Sequence, residues 1–156
     1  MPLDKDWKTA KDKLNGKTKK WSNHMRDDLP RFSKGFGKEL QLFEKVFAEN
    51  KKSMNFFFND LALLQGSGKN LSEIGRFLPM VIKKYKTWET TDKLWNKSYG
   101  KVLSIANAYS KEIQDSSKRH KGRDDDFHDV LKDVKKDLTK IIKDISLMQP
   151  KGSPGG

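Results

Sequence analysis

The sequence predicts an all-α protein: an elongated antiparallel helical hairpin or bundle of about four helices, packed along coiled-coil-like seams. Three observations predict it. Apolar residues recur in alternating steps of three and four over most of the chain. Charged residues make up 35% of the composition and hydrophobic ones 34%, a balance that suits helices burying a narrow stripe. Glycine and proline fall into a few short clusters, so the elements between them are long. With 10% aromatics the chain is too rich in large rings to stay disordered.

The first helix is placed at about residues 3–28, with Leu3, Trp7, Ala10 and Leu14 on its seam. Trp21, Met25 and Leu29 continue it after a phase slip, and Leu29-Pro30 ends it, because the residue before proline is pushed out of helical geometry. The second helix, about 34–65, carries Phe36, Leu40, Phe43, Phe47, Asn50, Met54, Phe57, Leu61 and Leu64 in unbroken 4,3 steps. The third, about 70–119, keeps the same period from Leu71 to Ile113, with Asp92 its one charged member. Pro79 lies inside it and leaves two readings: a kink in one long helix, or a short helix followed by a longer one. The fourth, about 124–149, carries Phe127, Leu131, Val134, Leu138, Ile141, Ile145 and Met148. Residues 1–149 are expected to form a single helical domain, with 150–156 a flexible tail. At 1.5 Å per residue the third helix spans roughly 60–70 Å, against about 30 Å for a compact ball of this chain length. That excess predicts an elongated bundle and a homodimer.

Gly66-Ser67-Gly68-Lys69 looks like the end of a phosphate-binding loop, but Leu63 replaces the first glycine and Asn70 replaces the magnesium-holding Ser or Thr. A helix precedes the motif where a strand is required. Asn70 and Glu73 have capping-box spacing instead, so the stretch is expected to be the turn of a hairpin. Asp124, Asp125, Asp126, His128 and Asp129 offer metal-type ligands, but three aspartates at a helix start are expected to cap it. The three histidines, His24, His120 and His128, sit in no catalytic motif. Without cysteine there is no thiol nucleophile and no disulfide. The reading is therefore not an enzyme, with no catalytic residues, no cofactor and no metal.

Asn50 and Asp92 are the polar members of otherwise apolar seams and are candidates for fixing register or interface. Trp88, Trp95, Tyr85 and Tyr99 are read as core. The net charge of +12 favours an anionic partner. Much of it gathers on the third helix. At 100° per residue, Arg76, Lys83, Lys86, Lys93, Lys97, Lys101, Lys111 and Lys118 fall within about 80° of one direction, opposite the seam. Arg119 and Lys121 extend this ridge. The first helix adds Lys8, Lys11, Lys13, Lys17, Lys19 and Lys20. On the fourth helix, Asp129, Asp133 and Asp137 run beside Lys132, Lys136 and Lys140, which reads as intrahelical pairing or as an acidic stripe for a neighbouring basic face.

The leading expectation is a non-enzymatic assembly or adaptor protein whose basic surface docks to an acidic protein. A peripheral membrane binder for anionic lipid is the alternative, with the first helix lying in the interface. Long helices, a proline break and basic faces resemble, in architecture alone, curved membrane-binding helical dimers such as BAR domains; no motif is shared. Sequence-independent nucleic-acid binding ranks third, because the ridge holds little arginine and the aromatics lie on the seam. A cytoplasmic location, at most peripheral to a membrane, is expected: residues 1–28 contain no apolar leader and no run is long enough to span a bilayer.

Overall fold

The computed structural model describes residues 3–15 and 35–150. It is all-α, with four helices packed against one another and no strand among the described residues. They are α1 (Leu3–Asn15), α2 (Phe36–Gly66), α3 (Leu71–His120) and α4 (Asp125–Leu147). The latter part of the predicted first helix, with Trp21, Met25, Lys17, Lys19, Lys20 and the Leu29-Pro30 break, lies outside the described residues, as does most of the predicted tail.

Pro79 is inside α3, a single helix of 50 residues. A proline in a helix interior loses one hydrogen bond and crowds the carbonyl four residues back. Here that carbonyl belongs to Gly75, which has no side chain to restrict its tilt and open space where a Cβ would sit. Gly66 to Asn70 form the turn between α2 and α3. Gly68 takes φ 58°, a value that favours glycine. The Ser67 amide donates to the Leu64 carbonyl at 3.2 Å, and the Asn70 side chain accepts from the Glu73 amide at 3.1 Å. The turn reading of this stretch holds, and half of the expected capping box forms.

Two compact units divide the chain. Unit 1 combines residues up to Glu44 with Tyr99–Gln149. Its core follows the predicted seams: Leu3, Trp7, Ala10 and Leu14 of α1, Phe36, Leu40 and Phe43 of α2, Val102, Ala106, Tyr109 and Ile113 of α3, and the whole apolar stripe of α4 are buried. Trp7 stacks on Tyr109 at 5.4 Å between ring centroids, and Phe36 meets both rings edge-on. A 13-residue helix such as α1 is marginal alone, so its tertiary contacts hold it. It packs along α4. Lys13 reaches Asp137 at 2.7 Å and Asp6 reaches Lys140 at 3.5 Å. Of the two readings of the acidic stripe on α4, Asp137 thus follows the second: it meets a lysine of a neighbouring helix. The amide of Leu3 donates to Glu44, whose carboxyl is pushed above its usual range by burial, against the lowering effect of that hydrogen bond.

The start of α4 is built by its aspartates. Asp124 accepts from the Phe127 amide at 3.1 Å as N-cap, and Asp125 accepts from the amide of Gly122, which has φ 77°.

Unit 2 contains Lys45–Ser98, the facing stretches of α2 and α3. Aromatic pairs fill its seam: Phe47 with Trp95 at 5.3 Å, and Phe57 with Trp88 at 5.2 Å and Tyr85 at 5.6 Å. Between them lies a buried polar group. The Asn50 amide donates to Thr91 Oγ1 at 3.3 Å and to Asp92 Oδ1 at 3.5 Å, while the Asn96 amide donates to both the carbonyl and Oδ2 of Asp92. Asn50 and Asp92 are each 2% exposed. The two polar seam residues chosen from the sequence therefore face each other.

Candidate anion-binding groove

The ten basic residues assigned to the ridge are all exposed, as a stripe opposite the seam requires. They divide between the two units. Arg76, Lys83, Lys86, Lys93 and Lys97 belong to unit 2, and Lys101, Lys111, Lys118, Arg119 and Lys121 to unit 1. Lys101 lies 3.0 Å from Glu39 on α2, and Lys93 lies 3.8 Å from Glu89 one turn back. Arg76 lies over the Phe77 ring at 5.4 Å. A helical wheel of α3 alone does not contain Glu39.

Lysines do converge in unit 1, where the end of α3 passes α4. Ser116 and Ser117, small and buried, let the helices approach. Beside that crossing is an open groove of about 620 Å³. Its α3 wall is Gln114, Ser117, Lys118 and Lys121; its α4 wall is His128, Leu131, Lys132, Lys135, Lys136 and Thr139. Five lysines line it and no carboxylate does. The buried Leu131 side chain and the lysine methylene stems make its floor and walls apolar, while the ammonium groups reach for water at the rim.

His128 is held at the groove's edge. Its Nδ1 lies 2.7 Å from the Ser117 carbonyl and 2.9 Å from the Ser117 hydroxyl. A carbonyl only accepts, so Nδ1 carries the proton, and Nε2 is the ring nitrogen left for the groove. Asp124 and Asp125 are engaged as caps, and among the described residues no three His, Asp or Glu side chains gather as a metal-binding group.

Lys118 and Lys121 were predicted from the sequence as anion-binding. Lys132, Lys135, Lys136 and His128 were not. The signal for them exists: at 100° per residue the four lie within about 100° of arc on α4, beside its apolar stripe. The i, i+4 pattern of alternating Asp and Lys stripes concealed it by offering each lysine an intrahelical partner.

No family model matches the chain, and no solved structure matches it. It is similar to an uncharacterized protein of Rickettsia prowazekii (strain Madrid E), with 26% identity over 142 residues, covering 85% of this chain. The chain spans 65% of the length of that relative.

Proposed function

We propose that the chain is a non-enzymatic helical docking protein, and that the groove between α3 and α4 receives an acidic amphipathic helix of a partner protein. One observation carries this reading: five lysines from two helices converge on an apolar floor with no carboxylate among them. Like charges gathered on one surface repel, and an opposite charge offsets that cost. The apolar floor asks for more than charge. A partner with leucine-type residues on one face and glutamates flanking them satisfies Leu131, the lysine stems and the ammonium groups together. On α4 the groove runs from His128 to Thr139, about three turns or roughly 16 Å, a length that suits a short docked helix.

The test uses a labelled, helix-forming peptide with one leucine face and flanking glutamates, its scrambled counterpart, and a DNA duplex. Anisotropy titrations are expected to show binding of the amphipathic peptide alone. Reversing charge by Lys132→Glu, Lys135→Glu and Lys136→Glu together weakens it about tenfold or more, with circular dichroism unchanged. Equal binding of the scrambled peptide, tighter binding of the duplex, or indifference to the triple variant counts against the reading.

A further inference from the structure

Unit 2 has the reverse hydrophobic balance of unit 1. Among the described residues, only Val46, Val81 and Trp95 of the buried apolar side chains belong to it. Of the large hydrophobic side chains left exposed, all except Leu42 and Leu147 belong to it. The cause is geometric. Two helices share one seam, and Phe57 occupies it against Tyr85 and Trp88. Phe56 and Phe58 point about 100° to either side of Phe57 and have no third helix to cover them within the unit. They are 44% and 49% exposed. Toward the turn, Leu63 is 49% and Leu71 82% exposed, and Ile82 further along α3 is 47% exposed. Exposed apolar surface of this extent marks a contact surface.

Cations interleave with it. Between Lys51 and Lys86 the chain carries seven basic residues against two acidic ones, Asp60 and Glu73. Lys84 Nζ lies 5.0 Å from the Phe56 ring centroid and Lys52 Nζ 5.7 Å from it. The same surface thus offers rings and aliphatic groups beside ammonium groups.

We infer that the hairpin of unit 2 docks on an anionic phospholipid bilayer, with its exposed phenylalanine and leucine side chains entering the headgroup–acyl boundary and its lysines meeting lipid phosphates. This rests on different residues from the groove and stands or falls separately. A second copy of the chain covers apolar surface but brings the same positive charge against itself. Nucleic acid supplies phosphates but no partner for Leu63, Leu71 and Ile82. A folded acidic partner would need a matching apolar cleft, whereas a fluid interface adapts to the uneven spacing of Phe56, Leu63, Leu71 and Ile82. No helix among the described residues is long and apolar enough to cross a membrane, so the contact is with the surface.

The experiment is co-sedimentation of the full chain with phosphatidylcholine vesicles, with and without phosphatidylglycerol, alongside tryptophan emission of a variant that keeps Trp88 and carries Phe at the other three tryptophan positions. Partition onto the anionic vesicles is expected to exceed that onto neutral ones by at least about tenfold, to fall with added salt, and to shift tryptophan emission to the blue. The variant Leu63→Ser with Leu71→Ser, at two exposed positions, lowers partition about tenfold with helicity unchanged. Lys83→Gln with Lys84→Gln lowers it on anionic vesicles only. Neutralising the groove by Lys132→Gln, Lys135→Gln and Lys136→Gln leaves it within about twofold, which separates this surface from the groove. The inference is overturned by absence of partition onto anionic vesicles, by partition that the serine variant does not change, or by a vesicle-free dimer in light scattering that the serine variant dissolves.

Discussion

Replacing Asn50 and Asp92 by leucine, singly and together, tests whether their buried contact sets the pairing of α2 with α3. Asp92 is 2% exposed and its carboxylate takes amide donors from Asn50 at 3.5 Å and Asn96 at 3.3 Å. Asn50→Leu removes the first donor and leaves a buried carboxylate half satisfied, at about 1–3 kcal/mol. Asp92→Leu leaves the Asn50 amide with Thr91 alone, at about 1–2 kcal/mol. The double substitution buries two apolar side chains in an apolar seam and leaves neither group stranded. Replacing a buried polar pair in this way is neutral or stabilising, by up to about 4 kcal/mol. The expected outcome is a reversal: the double variant is more stable than either single one, with a coupling of about 2 kcal/mol or more. Urea unfolding followed by circular dichroism measures it. Additive losses refute the reasoning, because they mean the two residues do not share one polar group. Specificity is the second readout. In the observed register Asn50 faces Asp92 and Phe57 faces Tyr85; slipping one heptad sets Asp92 against Phe57. The all-leucine seam loses that penalty, so light scattering of the double variant is expected to show additional oligomeric species.

Three smaller predictions concern single contacts. Asp124→Ala removes the N-cap of α4 and is expected to cost about 1 kcal/mol in urea unfolding. Gly68→Ala forces a side chain into φ 58° and is expected to cost about 1–2 kcal/mol, although open space surrounds the site. Burial raises the Glu44 carboxyl above its usual range, so the folded state holds that proton more tightly than the unfolded state does. Its charged form therefore opposes folding at neutral pH, and the opposition fades as pH falls through the folded value toward the unfolded one. Glu44→Gln, which keeps an acceptor for the Leu3 amide, is expected to raise stability at pH 7, with the gain vanishing near pH 4.

Seams were legible because burial repeats along a helix. Leu3, Trp7, Ala10 and Leu14 and the stripe of α4 follow from spacing alone, and so does the place of Asn50 and Asp92 on their seams, though not that the two meet. Pro79 was not decidable. Its local cost of about 3 kcal/mol is set against the packing of a 50-residue helix, and spacing carries no energy scale. The basic ridge was legible as a direction on one helix but not as a site, because Lys101 and Glu39 meet only when α2 is placed beside α3. The groove depended still more on placement: Asp137 turns to Lys13 of α1, while Lys132, Lys135 and Lys136 line the groove with α3. Of Phe56-Phe57-Phe58, only Phe57 stands on the seam that the spacing predicts. That two of the three rings stay exposed follows from the hairpin having a single seam.

The pairing of α1 with α4 has a consequence for synthesis. The Lys45–Ser98 part of unit 2 is one stretch closed by a short turn, so its seam can form soon after α3 has been made. Unit 1 is discontinuous: Leu3, Trp7 and Leu14 are buried in a unit that also contains residues from Phe127 to Met148. Closing so long a loop delays this core, and α1 waits, its apolar stripe unpaired with α4, until α4 has been made. The interval in which this core is most open to chaperones, or to aggregation, is thus set by the emergence of α4.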